Sequence, residues 1–291
     1  MIATFDLKWG LILLTLMIPL SNLKPAHAQD SNATSVGGRR SKAASTFGPA
    51  LRGQKVIDLS HTFDEKTIYW PTEDGFRLIP DKAGFTDKGY YYSSNRFTAA
   101  EHGGTHLDAP IHFYQRGKTA EELTLSQLIG EAAVIDVAEA CQNDPDYQIG
   151  VADLRRWEES QGRQLIDVIV LLRTGYAKHW PDRMKYLGTD ELGPDAVAKL
   201  HFPGLSPEAA QWLCEHRAIK AIGLDTASID YGQSERFQSH VMLYKHGIPA
   251  LENVADMSEL PASGSTVIAL PMKIGGGSGA PARIIAVLPE R

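Results

Sequence analysis

Four short runs of mostly apolar residues most constrain the fold of this chain. They cover residues 133–137, 167–172, 219–224 and 267–270. Runs of this length without polar alternation are typical of strands buried on both faces of a sheet, which helices then cover. The sequence therefore predicts an α/β fold, a single mixed-sheet domain with flanking helices.

Helix signals lie between these runs. Ser206 is a suitable N-cap and Pro207 a suitable first residue for a helix over 208–216. Residues 151–160 also have a helical pattern, and a short strand over 56–59 is expected to begin the ordered region. These elements supply the covering layers that buried strands require.

The first 28 residues have the pattern of a secretory signal peptide. An apolar run over 9–20 is too short for a transmembrane helix, which needs about 20 residues, and an A-x-A cleavage sequence follows at 26–28. We expect cleavage after Ala28, export to the periplasm or out of the cell, and no further membrane segment. Residues 29–52, rich in Ser, Ala, Gly and Asn, are expected to form a flexible linker.

Composition excludes several classes of protein. Lys and Arg number 29 against 35 Asp and Glu, a net charge of −6, which argues against a nucleic-acid partner because phosphate neutralisation needs basic surface. Two cysteines, Cys141 and Cys214, are too few for a disulfide framework or a cysteine-rich zinc module. They form one bridge or remain free thiols, and the sequence leaves both open.

One segment concentrates side chains that can bind a metal ion. From His102 the sequence reads HGGTHLDAPIHF, with three histidines and one aspartate within eleven residues. The glycine pair and the proline argue against a helix. In an extended chain, positions 102, 106, 108 and 112 share one face, and the glycines supply a bend that brings the first two imidazoles together. Two imidazoles and a carboxylate with an open position are typical of a catalytic metal site.

This segment resembles the H-x-G-T-H-x-D-x-P-x-H signature of the cyclase family, which includes bacterial kynurenine formamidases and isatin hydrolases. Residues 58–61 and 69–71 resemble the family's N-terminal part, and residues 223–228 its late strand and turn. His240 and Glu252, which spacing alone would leave without a role, match a separation of twelve that the family uses. The resemblance implies a cyclase-type catalytic domain over residues 53–291.

The resemblance also implies a divalent metal cofactor. His102, His106 and Asp108 would hold one ion. In formamidase-like members the same aspartate bridges to a second ion, here held by His240 and Glu252, whereas isatin hydrolases use a single manganese. The resemblance therefore leaves two questions open: whether the metal is zinc or manganese, and whether each chain holds one ion or two.

His112 is the acid–base residue that the resemblance implies. A divalent metal lowers the pKa of bound water from 15.7 to about 7, and an imidazole can accept the water proton and return it to a leaving nitrogen. We expect a hydrolase that opens an amide, lactam or formamide bond of a small aromatic molecule. Relatives of this kind imply a homodimer or a larger homo-oligomer.

Aromatic residues near the signature suit a planar substrate. Trp70 and Phe97 are the candidate substrate-binding residues, with Tyr69 and Phe113 as further members of a stacking wall. The glycine-rich stretch over 273–279 lacks the ending of a phosphate-binding loop and is expected to form a flexible loop beside the site.

Two other functions stay open at this stage. A metal-bearing periplasmic binding protein without turnover would need the first three ligands but no base. A lyase or cyclase on the same scaffold would use the same metal and His112, so only its products would distinguish it from a hydrolase.

Overall fold

A sheet closed on itself forms the centre of the structure, a computed structural model that describes Leu51 and residues 53–290. The strands are β1 (Val56–Asp58), β2 (Arg77–Phe85), β3 (Tyr91–Thr98), β4 (His106–Asp108), β5 (Ile129–Asp136), β6 (Gln148–Ile149), β7 (Val168–Arg173), β8 (Gly204–Leu205), β9 (Ala221–Leu224), β10 (Ala250–Glu252), β11 (Thr266–Pro271) and β12 (Gly279–Val287). The helices are α1 (Leu125–Leu128), α2 (Ala138–Asn143), α3 (Val151–Gln161), α4 (Arg183–Leu187), α5 (Pro194–Val197), α6 (Pro207–His216) and α7 (Gln238–Lys245), with 3₁₀ helices at Pro110–His112, Ala120–Glu122 and Tyr176–His179.

The large sheet mixes parallel and antiparallel pairs. Its order is β1-β12-β11-β5-β7-β9-β10-β4, and β4 also pairs with the first residues of β12, which closes the ring. The β5, β7, β9 and β10 strands run parallel to one another, and β4 is antiparallel to both of its neighbours. The expected mixed-sheet α/β domain is confirmed, with the closure as an additional feature.

Alternate residues of the central strands enter two hydrophobic cores. In β7, Ile169 and Leu171 face the core inside the ring, whereas Val168, Val170 and Leu172 face the core beneath the helices. Burial on both faces explains why the strand reads as an uninterrupted apolar run.

The predicted elements correspond to observed ones with small shifts at their ends. Residues 133–136 of the first run lie in β5, which already starts at Ile129, and Val137 follows the strand. The α6 helix begins where expected, with the Ser206 side chain accepting a hydrogen bond from the N–H of Ala209. The α3 helix ends at Gln161 and is followed by Gly162, whose φ of 63° is the left-handed conformation that glycine adopts readily.

A separate hairpin of β2 and β3 was not predicted. Among the residues that the structure describes, the two strands pair only with each other, and all but one of their residues are exposed. They lack the one-sided apolar alternation of a half-buried strand, so the sequence pattern gave no signal.

Three further predictions concern the N-terminal segments, membrane-spanning helices and the two cysteines. The signal peptide and nearly all of the linker lie outside the described residues. No helix in the described part of the chain combines the length and the apolar character needed to cross a bilayer. Cys141 and Cys214 are both free thiols, which decides the alternative that the sequence left open.

Candidate metal centre

The short strand β4 places two of the predicted ligands side by side. His106 and Asp108 lie on one face of the strand, and Leu107 between them points into the core inside the ring. The neighbouring strand β10 pairs in a register that sets Glu252 directly opposite His106. Residues in directly opposite positions share a face of the sheet. A third ligand candidate thus reaches the same place from far along the chain.

A glycine bend brings His102 to this strand. Gly104 has a φ of 57°, and a Cβ there would lie 2.6 Å from the Phe63 ring. The bend returns the chain so that Nδ1 of His102 lies 2.8 Å from Oδ1 of Asp108. The expected role of the glycine pair is therefore confirmed, and a side chain at Gly104 would disturb the bend both by strain and by contact.

The α7 helix carries His240 to the opposite side of Asp108. Nε2 of His240 lies 3.6 Å from Oδ2 of Asp108 and 3.0 Å from Oε1 of Glu252. One helical turn later, the hydroxyl of Tyr244 donates to Oδ2 of Asp108 at 2.7 Å. The carboxylate of Asp230 accepts a hydrogen bond from Nδ1 of His240 at 2.6 Å and so orients the ring.

The candidate ligands form two clusters that share Asp108. One comprises His102, His106 and Asp108, and the other comprises Asp108, His240 and Glu252, with the ligand atoms of each lying within 4.8 Å of one another. All but the partly exposed His102 are buried. Sharing a carboxylate is the arrangement in which one residue can contact two ions.

The ring of His106 tests whether a cation fits. Its Nδ1 donates to the carbonyl of Gly104 at 2.9 Å, which leaves a lone pair on Nε2. That buried Nε2 has no hydrogen-bond partner and lies 3.1 Å from Oδ1 of Asp108 and 3.5 Å from Oε2 of Glu252. A lone pair facing two carboxylates is repulsive unless a cation lies between them, so these residues fit a divalent metal.

The pKa values of the buried ligands show the same excess of negative charge. Burial by itself would raise the pKa of Asp108, but the surrounding imidazoles of His102, His106 and His240 hold it well below its usual value. Burial would lower the pKa of His106, yet the adjacent carboxylate of Asp108 and the charge of Glu252 raise it. The cluster therefore favours bound positive charge.

His112 reaches the same place by a route that the sequence analysis did not predict. An extended chain over 102–112 is wrong beyond Asp108, because Pro110 starts a 3₁₀ helix that ends at His112. The His112 ring stacks on His102 with centroids 3.8 Å apart, and its Nε2 lies 3.9 Å from Oδ2 of Asp108. Within the described residues, no hydrogen bond occupies its ring nitrogens. Burial, only partly offset by Asp108, lowers the pKa of His112 to about 4, so the ring is neutral near pH 7.

These residues line a cavity of about 440 Å³, a size that suits a small molecule. Trp70 and Phe113 lie in its wall, together with Phe237, whose ring is 6.2 Å from Trp70 and 5.3 Å from Phe113. Charged residues in the lining are all carboxylates or histidines. Within the part of the chain that the structure describes, the cavity has no lysine or arginine in its wall.

The expectation for Phe97 requires correction. This residue lies on β3, is 52% exposed, stacks on Phe76 and does not line the cavity. The physical reason is the hairpin, which carries Phe97 away from the sheet although it precedes the signature by only five residues.

Several residues of the site were missed by the sequence analysis. Tyr244 lies four residues after His240 on one helix face, a spacing that could have indicated it. Asp230 had no such signal, because only the turn between β9 and α7 brings its carboxylate under His240. Asn253 follows Glu252 and donates to the carbonyl of Gly104 at 2.9 Å, which fixes the glycine bend from the side of β10.

The comparison with protein families agrees with this geometry. The family model described as "Putative cyclase" matches residues 57–231, more than half of the chain. The chain belongs to the cyclase family. The matched residues include the signature with strand β4. The two strands that pair with β4, β10 and β12, follow the matched part, as does α7 with His240.

Named relatives of this cyclase-family chain are hydrolases. An isatin hydrolase of Roseibium aggregatum is 31% identical over 244 residues, 77% of this chain and 90% of the relative. A kynurenine formamidase of Bacillus thuringiensis (strain Al Hakam) is 28% identical over 242 residues, 81% of this chain and 98% of the relative. The solved structure of isatin hydrolase A from Labrenzia aggregata bound to benzyl benzoate has a TM-score of 0.73 at 30% identity, over 81% of this chain and 94% of that one.

Proposed function

We propose that this metal-dependent amide hydrolase of the cyclase family opens the cyclic amide of a small, neutral, planar aromatic molecule. An isatin-like lactam is a substrate of this kind. The observation that carries the proposal is the position of His112, whose unpaired ring nitrogens border the cavity beside the clustered ligands. A metal-bearing binding protein would have no need of a base there.

The ligand atoms follow from the hydrogen bonds already described. His106 and His240 offer Nε2, because Nδ1 of each ring donates elsewhere. Asp108 offers one oxygen to each cluster, and Glu252 completes the second. A divalent ion held there supplies Lewis-acid activation of a water molecule and of the substrate carbonyl. We propose zinc or manganese, with one or two ions per chain, since imidazole and carboxylate ligands suit both metals.

His112 moves the proton. The neutral imidazole takes a proton from the attacking water while the water oxygen bonds to the carbonyl carbon. When the carbon–nitrogen bond breaks, the same ring returns that proton to the departing nitrogen. The hydroxyl of the water thus ends on the carbonyl carbon and its other hydrogen on the nitrogen. In a lactam both groups stay in one molecule, an amine and a carboxylic acid that then loses its proton to solvent.

The cavity wall supports a neutral substrate over a zwitterion. An N-formylkynurenine-like substrate carries an α-carboxylate, for which the described wall offers no cationic side chain. Glu73 and Glu101 add negative charge at the edge. A neutral ring between Trp70 and Phe237 needs no such partner, and its anionic product would be repelled from the cavity.

A direct substrate comparison tests this proposal. The purified chain, loaded separately with Zn²⁺ and Mn²⁺, is assayed with isatin and with N-formylkynurenine, with product identity determined by mass spectrometry. We expect hydrolysis of both amides to be measurable and kcat/KM to favour isatin. Stoichiometric metal without hydrolysis of either amide would overturn the proposal in favour of a binding protein. An eliminated or cyclised product would overturn it in favour of a lyase or cyclase.

Export of the protein is a second part of the proposal. Its support is the apolar run and A-x-A sequence within residues 1–28. N-terminal sequencing of the protein from a cell fractionation should find a mature chain that starts at Gln29 outside the cytoplasm. Full-length protein confined to the cytoplasm would contradict it.

We also propose that two copies of the chain associate through the β2–β3 hairpin. Phe85, Tyr91 and Phe97 on this hairpin are 81%, 59% and 52% exposed, and an isolated two-stranded sheet is only marginally stable in water. Asp87 and Lys88 adjoin at its turn, so a twofold contact can set each acid opposite the partner's base. Sedimentation equilibrium should give twice the mass of the chain, and a monomer at micromolar concentration would contradict this.

A further inference from the structure

The glycine-rich segment over 273–279 lies directly against the first ligand cluster. The carbonyl of Ser278 accepts a hydrogen bond from the N–H of Ala109 at 2.9 Å, just after the last strand residue of the signature. The N–H of Gly276 donates to the Glu121 carboxylate at 2.8 Å. The segment is thus fixed at two points beside the cavity.

Ser278 connects a carboxylate to a metal-ligand ring. Its hydroxyl lies 2.6 Å from Oε2 of Glu101, and its N–H donates to the same oxygen at 2.9 Å. On its other side the hydroxyl lies 2.8 Å from Nε2 of His102. An ionised carboxylate only accepts, so the hydroxyl hydrogen points to Glu101 and the hydroxyl oxygen accepts from Nε2–H of His102.

This chain of hydrogen bonds determines the tautomer of His102. With its hydrogen on Nε2, the ring presents the Nδ1 lone pair, and Nδ1 is the nitrogen that lies 2.8 Å from Oδ1 of Asp108. His102 therefore offers the opposite nitrogen from His106, whose Nδ1 is the protonated one.

The glycines of the segment make room for this arrangement. A Cβ at Gly279 would lie 2.5 Å from Cε1 of His102 and 2.7 Å from the carbonyl of Leu107. A Cβ at Gly277 would lie 3.1 Å from Oε1 of Glu101. Side chains at these two positions would push on the ring and on the carboxylate, so the close approach explains the glycines at 277 and 279.

We propose that Glu101 and Ser278 are positioning residues that hold His102 with Nδ1 toward the ion and increase the basicity of that nitrogen. The inference rests on the metal site of the proposed function. Carboxylate partners of metal-bound histidines act in this way, and their loss typically weakens metal binding about 10- to 100-fold. Here a serine hydroxyl lies between, in contrast to Asp230, which contacts His240 directly.

Metal affinity measured without substrate tests the proposal. Co²⁺ is titrated into metal-free protein against a competing chelator, and its visible absorption bands are recorded. In Ser278→Ala and Glu101→Gln, we expect the Kd to rise about 10- to 100-fold and the bands to change as the ring reorients. Ser278→Thr keeps a hydroxyl and should restore both readouts.

A control variant and a double variant distinguish loss of the Glu101–Ser278–His102 hydrogen bonds, here called the relay, from general loosening of the glycine-rich segment. Glu121→Gln alters the other carboxylate that holds the segment, and its Kd should stay within about twofold of wild type. Since Glu101 acts through Ser278, the double variant Glu101→Gln/Ser278→Ala should bind Co²⁺ no more weakly than Ser278→Ala alone.

Three results would overturn the inference: unchanged Kd and spectrum in Ser278→Ala, an equal loss in Glu121→Gln, or additive losses in the double variant. Wild-type protein that binds no Co²⁺ would instead refute the metal site itself, which distinguishes failure of the proposed function from failure of the relay. Thermal unfolding of each metal-free variant shows whether it is folded before its Kd is interpreted.

Discussion

The metal centre and the β2–β3 hairpin differ in how firmly the rest of the chain defines them. In the centre, His106, Asp108, His240 and Glu252 are at most 4% exposed, and contacts from two strands and a helix fix them. In the hairpin, each strand pairs only with the other within the described part of the chain, and large aromatic side chains are exposed. The difference teaches that the centre is built by contacts within one chain, whereas the apolar hairpin surface stays largely exposed among the described residues, and it is the surface for which we propose a second copy of the chain.

The largest expected effect is loss of the carboxylate shared by both clusters. Asp108→Asn should release metal from both and reduce kcat/KM about 10⁴-fold or more, because water activation and carbonyl polarisation fail together. Elemental analysis and kinetics check this. Asp256→Asn alters an exposed carboxylate and serves as the control. Wild-type metal content in Asp108→Asn would contradict the central place given to this residue.

A smaller loss should follow removal of the base. His112→Gln is expected to lower kcat about 10²- to 10⁴-fold while metal content stays at the wild-type level, since general acid–base catalysis typically contributes that much. The matched control is His246→Gln, a change at an exposed histidine just after α7. Turnover at the wild-type rate in His112→Gln would remove this residue from the mechanism.

The hairpin side of the comparison can be tested by removing its aromatic surface. Phe85→Ser with Tyr91→Ser should raise the dimer Kd about 30-fold or more, because buried aromatic residues at interfaces often contribute 2 kcal/mol or more. Analytical ultracentrifugation measures the change, with Lys66→Ser, a substitution of an exposed residue outside the hairpin, as the control. A double variant that dimerises like wild type would place the interface elsewhere.

The smallest effect is expected from one hydroxyl in the centre. Tyr244→Phe removes the hydrogen bond to Oδ2 of Asp108 and should lower the free energy of unfolding of the metal-free protein by about 1–2 kcal/mol. Urea unfolding measures this. Tyr176→Phe is the matched control, since this residue is buried but no hydrogen bond of its hydroxyl is found among the described residues; it should change the free energy by less than about 0.5 kcal/mol. Equal effects in both would show that the contact with Asp108 contributes nothing specific.

Much of the fold and most of the ligand cluster could be predicted from the sequence, but the tertiary contacts between distant segments could not. The apolar runs predicted the buried strands, and the signature predicted that His102, His106 and Asp108 converge at a glycine bend. The placement of Phe97 was wrong, since nothing in a local pattern tells whether an aromatic residue lines a cavity or extends on a hairpin. His240 and Glu252 were assigned by resemblance alone.

The sequence by itself determined what depends on neighbours along the chain. Strand burial, helix caps and the bend at Gly104 all follow from local periodicity and backbone preference within a few residues. Only the tertiary structure decided that β10 pairs with β4 in the register that sets Glu252 opposite His106, and that Ser278 contacts His102. Those contacts join residues more than 140 positions apart. Their geometry depends on closure of the whole sheet, which no local spacing encodes.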